Sequence, residues 1–104
     1  MELKYVYIGD CFDNVKRLMI FSSFSQVKKF VIQELVKRIE YLKNIIEKNP
    51  KEDIAKKRLM DFAIEKKKWE SEDYILKVLR KESDEAYHSL IGLIYEREED
   101  LLEY

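Results

Sequence analysis

Glycine, proline, cysteine and histidine are almost absent from this 104-residue chain, which has two, one, one and one of them, and threonine is missing entirely. Each scarcity excludes something. Gly9 and Gly92 stand too far apart in sequence to build a glycine-rich phosphate loop. Cys11 alone can form neither an intrachain disulfide nor a cysteine-based zinc site, and it suits a reducing interior. So few glycines and prolines also rule out collagen-like or low-complexity sequence and favour ordered elements. Residues 18–21 form one of the longest apolar runs, far below the length of a membrane span. Met1-Glu2-Leu3-Lys4 lacks the basic flank and apolar stretch of a secretory leader. The expectation is a soluble, cytoplasmic protein without membrane association.

The charges that are present are sorted along the chain. Residues 1–68 carry sixteen Lys and Arg against ten Asp and Glu, while residues 69–104 carry four against eleven. A net charge of −1 thus conceals a +6 part joined to a −7 part. Opposed fields of this kind fit a protein that attaches to a polyanion, to another protein or to its own twin. Glu and Lys together number 29, Gln and His together three, and there are eleven Ile and seven Tyr. This skew resembles the ion-pair-rich, amide-poor usage of hyperthermophile proteins, and an AT-rich genome produces part of it too.

Leu3, Tyr5 and Tyr7 alternate with Lys4, Val6 and Ile8, which reads as a β element over about residues 3–9 closed by Gly9-Asp10. A strand apolar on both faces needs a neighbour. Two arrangements are open. In one, Asp10 caps a helix bearing Phe12, Val15, Leu18 and Met19, and the strand pairs with that of a second subunit, setting Tyr5 and Tyr7 at a homodimer interface. In the other, Asp13-Asn14 is a two-residue turn and residues 15–22 return as a strand, bringing Ile8 near Met19 and Asp10 near Arg17.

Beyond Ser25, read as an N-cap, Val27, Val31, Leu35, Ile39, Leu42 and Ile46 follow at spacings of four and three. This predicts a central helix over about residues 26–48. Asn49-Pro50-Lys51-Glu52 carries the start signals of a second helix over about residues 50–69: a cap, proline at the first helical position, and glutamate three residues after the cap. Ser71, Ser83 and the spacing of Leu90, Leu93, Ile94 and Leu101 predict acidic C-terminal helices over about residues 72–103. The expected fold class is mainly α, a three- or four-helix single domain with a short N-terminal β element, either a β-hairpin or an intersubunit strand, and the chain is expected to form a homodimer.

Constellations that carry chemistry are thin. Glu85 and His88 have the spacing that di-iron carboxylate bundles use twice, and Glu34, Glu40 or Asp61 could add oxygen ligands in a homodimer. One copy is half a site, so no metal is expected. Cys11 and the serines have His88 as their one candidate base, with no motif around either. Glu65-Lys66-Lys67 contains a Glu-x-Lys triplet of the kind metal-dependent nucleases use, yet within a helix those side chains do not converge. No catalytic residue, no cofactor and no enzymatic activity are expected.

A basic helix face is the better candidate. Lys56, Lys57, Arg58, Lys66, Lys67 and Lys68, with Lys28, Lys29, Lys37 and Arg38 on the preceding helix, form a candidate stripe for phosphates or for a partner. Pairs such as Glu52 with Lys56 explain many of these lysines as a solvated face. Tyr5 and Tyr7 beside Lys4 are also a candidate base-stacking platform. Over residues 3–42, the order of strand, candidate helix and Ser-capped helix resembles that of ribbon-helix-helix DNA-binding proteins. The resemblance implies a strand paired across a dimer and laid in a groove. Neither Lys4, Val6 and Ile8 nor Leu3, Tyr5 and Tyr7 supplies the polar row that reads bases there.

Two functions follow. The first is a small interaction protein that occludes or bridges a protein partner stoichiometrically, which suits a virus- or mobile-element-encoded inhibitor or adaptor of a host protein or nucleoprotein complex. The second is a nucleic-acid-binding regulator whose basic face is tempered by the acidic segment.

Overall fold

The computed structural model of the chain describes residues 3–10, 16–71, 74, 75, 77, 87–90 and 92–98. Alternating aromatic and β-branched residues form strand β1 (Leu3–Asp10), and the next apolar run forms β2 (Lys16–Phe21). Helices α1 (Phe24–Lys48) and α2 (Asp53–Glu70) follow, and β3 (Tyr87–Ser89) and β4 (Gly92–Glu98) come last. The strands make one antiparallel sheet in the order β2-β1-β4-β3. Helix outweighs strand, as expected, but among the described residues it is concentrated in two long helices rather than three or four.

Of the two arrangements open for residues 10–22, the hairpin forms, one residue away from the expected register. Ile8 stands opposite Leu18 and Asp10 opposite Lys16, instead of Met19 and Arg17. A slip of one residue turns every side chain to the other face. The observed register sends Met19 and Phe21 toward the helices, where the Phe21 ring lies 5.6 Å from that of Phe30. The alternative would have turned Ile20 and Ser22 inward and left Phe21 in water. Asp13 and Asn14 lie outside the described residues.

Three further expectations give way to the sheet. β1 has β2 along one edge and β4 along the other, so β1 itself keeps no edge for the same strand of a second subunit. Tyr5 and Tyr7 are accordingly buried in the chain's own core rather than set at a dimer interface or offered to bases. The ribbon-helix-helix order fails because a strand lies where it needs its first helix. The helix expected at the C-terminal end is replaced by β3 and β4, since Leu93, Ile94 and Tyr95 suit a strand and the open edge of β1 pairs with them. Within the acidic stretch between α2 and β3, Tyr74, Ile75 and Lys77 are helical, while Ser83 and Leu101 lie outside the described residues.

The face of the sheet that carries Tyr5, Tyr7 and Ile94 meets Val27, Val31 and Leu35 of α1, together with Trp69 and Ile75, in one buried cluster. Its chemistry is aromatic. Tyr5 lies 5.7 Å from Phe24, Tyr7 meets Phe30 edge-on at 5.1 Å, and Phe24 stacks on Trp69 at 6.0 Å. Such ring pairs add about 0.5–1.5 kcal/mol each to the gain from burial. The Trp69 indole N–H donates to Glu65 Oε1 at 3.1 Å, which satisfies the polar edge of the buried ring.

Local signals fix where the helices begin. Ser23, not Ser25, caps α1: its Oγ accepts from the Gln26 N–H at 3.3 Å, and Gln26 Oε1 accepts from the Ser22 N–H at 3.0 Å. This earlier start puts Phe24 in the first turn, within reach of Tyr5 and Trp69. Asn49 closes α1 rather than opening α2. Its N–H reaches the Ile45 carbonyl at 2.9 Å, and its Oδ1 accepts from the Lys51 N–H at 3.4 Å. Pro50 therefore sits in the turn, and α2 starts at Asp53 without a side-chain cap.

The sheet covers only one end of this helical pair. The buried cluster takes nothing from α1 beyond Leu35, and from α2 only Trp69 with Phe62 packed beside it. Farther out, Leu42 and Ala55 are the buried residues, as the two helices lean on each other. At 1.5 Å per residue, the rest of α1 carries this arm about 20 Å past Leu35. The radius of gyration is 15.2 Å and the longest extent 51 Å, whereas a compact domain of this length has a radius of gyration of about 13 Å.

Candidate interaction surfaces

Among the described residues no helix is long and apolar enough to cross a membrane, and no three His, Cys, Asp or Glu side chains gather as metal ligands. Cys11 and Glu85 lie outside those residues, and His88 stands in β3 opposite Leu93. Among the described residues two carboxylates are buried, and each is already engaged. Glu34 meets Lys37 Nζ at 3.6 Å and Arg38 Nη1 at 3.5 Å on its own helix. Glu65 holds the Trp69 indole. Its position also settles the Glu-x-Lys triplet, because Glu65 is buried and Lys67 is exposed, on opposite sides of α2.

The six cations of α2 do not share one surface. At about 100° per residue, Lys56, Lys57, Lys67 and Lys68 fall within an arc of about 120° on the outward side of the helix, and all four are exposed. Arg58 is also exposed but lies about 80° farther round from Lys68. Lys66 is half-buried on the other flank and pairs with Glu70. On α1, Lys29 and Lys37 are exposed, Lys28 is half-buried, and Arg38 is held by Glu34. The stripe reduces to two pairs of lysines, one at each end of the outward face of α2. Between them lie Met60 and Ile64, 65% and 52% exposed.

The second surface is the sheet face turned away from the helices. Ile8 stands opposite Leu18, and Val6 opposite Ile20, across β1 and β2. Ile8, Leu18 and Ile20 are 40%, 55% and 49% exposed, and half-buried Leu93 adjoins Ile8 from β4. Sequence reasoning missed this face, although a signal was present. A strand with one wet face alternates apolar with polar residues, and residues 18–21, Leu-Met-Ile-Phe, do not alternate at all. Both faces of β2 are therefore apolar: one meets the helices, and on the other Val6 is buried while Ile8, Leu18 and Ile20 stay exposed. β2 is also an edge strand.

The chain matches no family model, no curated protein and no solved structure.

Proposed function

We propose that this is a non-enzymatic interaction protein that acts stoichiometrically, as an inhibitor or adaptor of a protein or nucleoprotein complex, of the kind a virus or mobile element encodes. The observation that carries the reading is the exposed trio Ile8, Leu18 and Ile20 on the face of the sheet turned away from the helices. Apolar surface left in water forgoes about 25 cal/mol per Å², and contiguous patches of this kind mark contact sites more often than idle surface. β2 adds an edge along which a partner strand can pair. The divergence of Glu65 and Lys67 supports the non-enzymatic part.

The test is affinity capture with the tagged full chain and with a Leu18→Glu, Ile20→Glu variant, checked for native fold by circular dichroism. The reading expects a partner recovered in a fixed ratio by the parent chain and lost by the variant. Recovery of the same partner by both would sink it. A second reading, a nucleic-acid-binding regulator, draws support from Lys56, Lys57, Lys67 and Lys68 sharing one exposed arc of α2.

A further inference from the structure

We infer that the outward face of α2 docks an acidic amphipathic helix of a partner protein. Lys57, Met60, Ile64 and Lys67 follow at spacings of three, four and three, the seam spacing of a helix laid along another helix. Lys56 and Lys68 flank the two ends of that seam. The opposite side of α2 is already used, since Ala55, Glu65 and Trp69 are buried there. A long helical pair thus presents two uncovered apolar side chains midway between two pairs of cations.

This pattern selects its occupant. A complementary helix carries apolar residues at two successive seam positions, with Glu or Asp a turn beyond each. Lys57 to Lys67 spans about 15 Å of helix at 1.5 Å per residue, so the partner's acidic groups are about that far apart. A second copy of α2 does not fit. Antiparallel pairing that sets Met60 against Ile64 also sets Lys57 against Lys67, and parallel pairing sets each lysine against its twin. Like charges brought together in this way are repelled, which disfavours self-pairing. A nucleic-acid backbone satisfies the lysines but leaves Met60 and Ile64 facing phosphates. Asp53 lies on the face itself, one turn before Lys57 at the next seam position, Asp61 lies at its edge, Glu52 stands one turn before Lys56, and Glu70, beside Lys67, is paired with Lys66. The four lysines outnumber the three acids that remain.

The probe is a labelled synthetic helix with leucines at two seam positions and glutamates a turn beyond each, and a twin with lysines for the glutamates. Fluorescence anisotropy is read against the full chain at low and raised salt. The acidic peptide is expected to bind at least about tenfold tighter than its twin, a margin that shrinks with salt. A Lys57→Glu, Lys67→Glu variant is expected to reverse the preference, which a merely structural effect would not do. A Met60→Gln, Ile64→Gln variant is expected to weaken both. Equal affinity for the two peptides, or an unchanged preference in the charge-reversed variant, overturns the inference. So does a truncation after Glu98 that sharply tightens peptide binding, since the chain's own terminal acids would then be the occupant. Displacement of the peptide by duplex DNA at lower concentration than by unlabelled peptide would assign the lysines to phosphate instead.

Discussion

Gly9 and Gly92, the only two glycines in the chain, stand opposite each other where β1 pairs with β4. A Cβ at Gly92 would lie 2.7 Å from the Ile8 carbonyl oxygen, 2.9 Å from Gly9 Cα and 2.9 Å from the Tyr7 ring. The space that the missing side chain leaves is filled by Tyr7, a fully buried residue of the core. Two of the three contacts are backbone, so neither can turn aside. Gly92→Ala is therefore expected to destabilise the fold by about 1–3 kcal/mol, the usual cost of overpacking. Urea unfolding measures it. An unchanged midpoint would mean that β4 does not pair with β1 in this register.

The hairpin register has its own test. Leu18 and Met19 are neighbours of similar character, yet Leu18 points to water and Met19 packs against the core. Leu18→Lys is expected to change stability by no more than about 0.5 kcal/mol. Met19→Lys is expected to cost at least about 1–3 kcal/mol, since its ammonium would face the aromatic cluster. Thermal unfolding of the two variants reads the difference, and the reverse order would restore the register one residue away.

Trp69 reports on the core directly. Glu65→Ala removes the acceptor of its indole N–H and is expected to cost about 1–3 kcal/mol. Glu65→Gln keeps an oxygen at that position and is expected to cost less, with a smaller change in tryptophan fluorescence. Equal losses in the two variants would show that the hydrogen bond is not what holds the ring.

The two helices were legible because their information is local: an apolar stripe from Val27 onward, serines before it, and a proline turn between. Even there the caps moved, since Ser23 wins over Ser25 by bringing Phe24 against Trp69, a contact far away in sequence. The sheet was hidden for the same reason. β4 exists because β1 has an open edge, and nothing within residues 92–98 announces that partner; Gly92 falls within the stretch expected to be helical, and its role, room for Tyr7, depends on a strand far away in sequence. The lysines of α2 were visible as a run, but their division into an outward arc and two flanks depends on which side of the helix Trp69 takes. The exposed sheet face escaped notice because a non-alternating run reads as a buried strand, and only the topology shows that β2 is an edge.

The arm should open before the rest. Leu42 and Ala55 are its buried residues, whereas the helix ends beside the sheet share the aromatic cluster. Amide hydrogen exchange is expected to be faster over residues 36–62 than over residues 27–35, in keeping with local opening where few apolar contacts must break. Leu42→Ala, about 2–5 kcal/mol for a buried leucine, is expected to raise exchange in the arm while leaving Val27 and Val31 protected. Uniform loss of protection would mean that arm and sheet unfold as one unit.

Salt dependence separates the two functional readings. If α2 contacts phosphates, its outward arc offers four lysines, and four contacts give a log-log slope of about −3.6 on duplex DNA. The acidic end can temper those lysines only from within about 8 Å at physiological salt, so its removal is informative. The deletion must begin after Glu98, because Glu96, Arg97 and Glu98 pair with Tyr5, Lys4 and Leu3 and belong to the sheet. The protein-docking reading expects no measurable duplex affinity at low salt, with or without residues 99–104. A slope near −3.6 that persists in the truncated chain at higher affinity would transfer the lysines to nucleic acid and leave the sheet face as the protein's remaining docking surface.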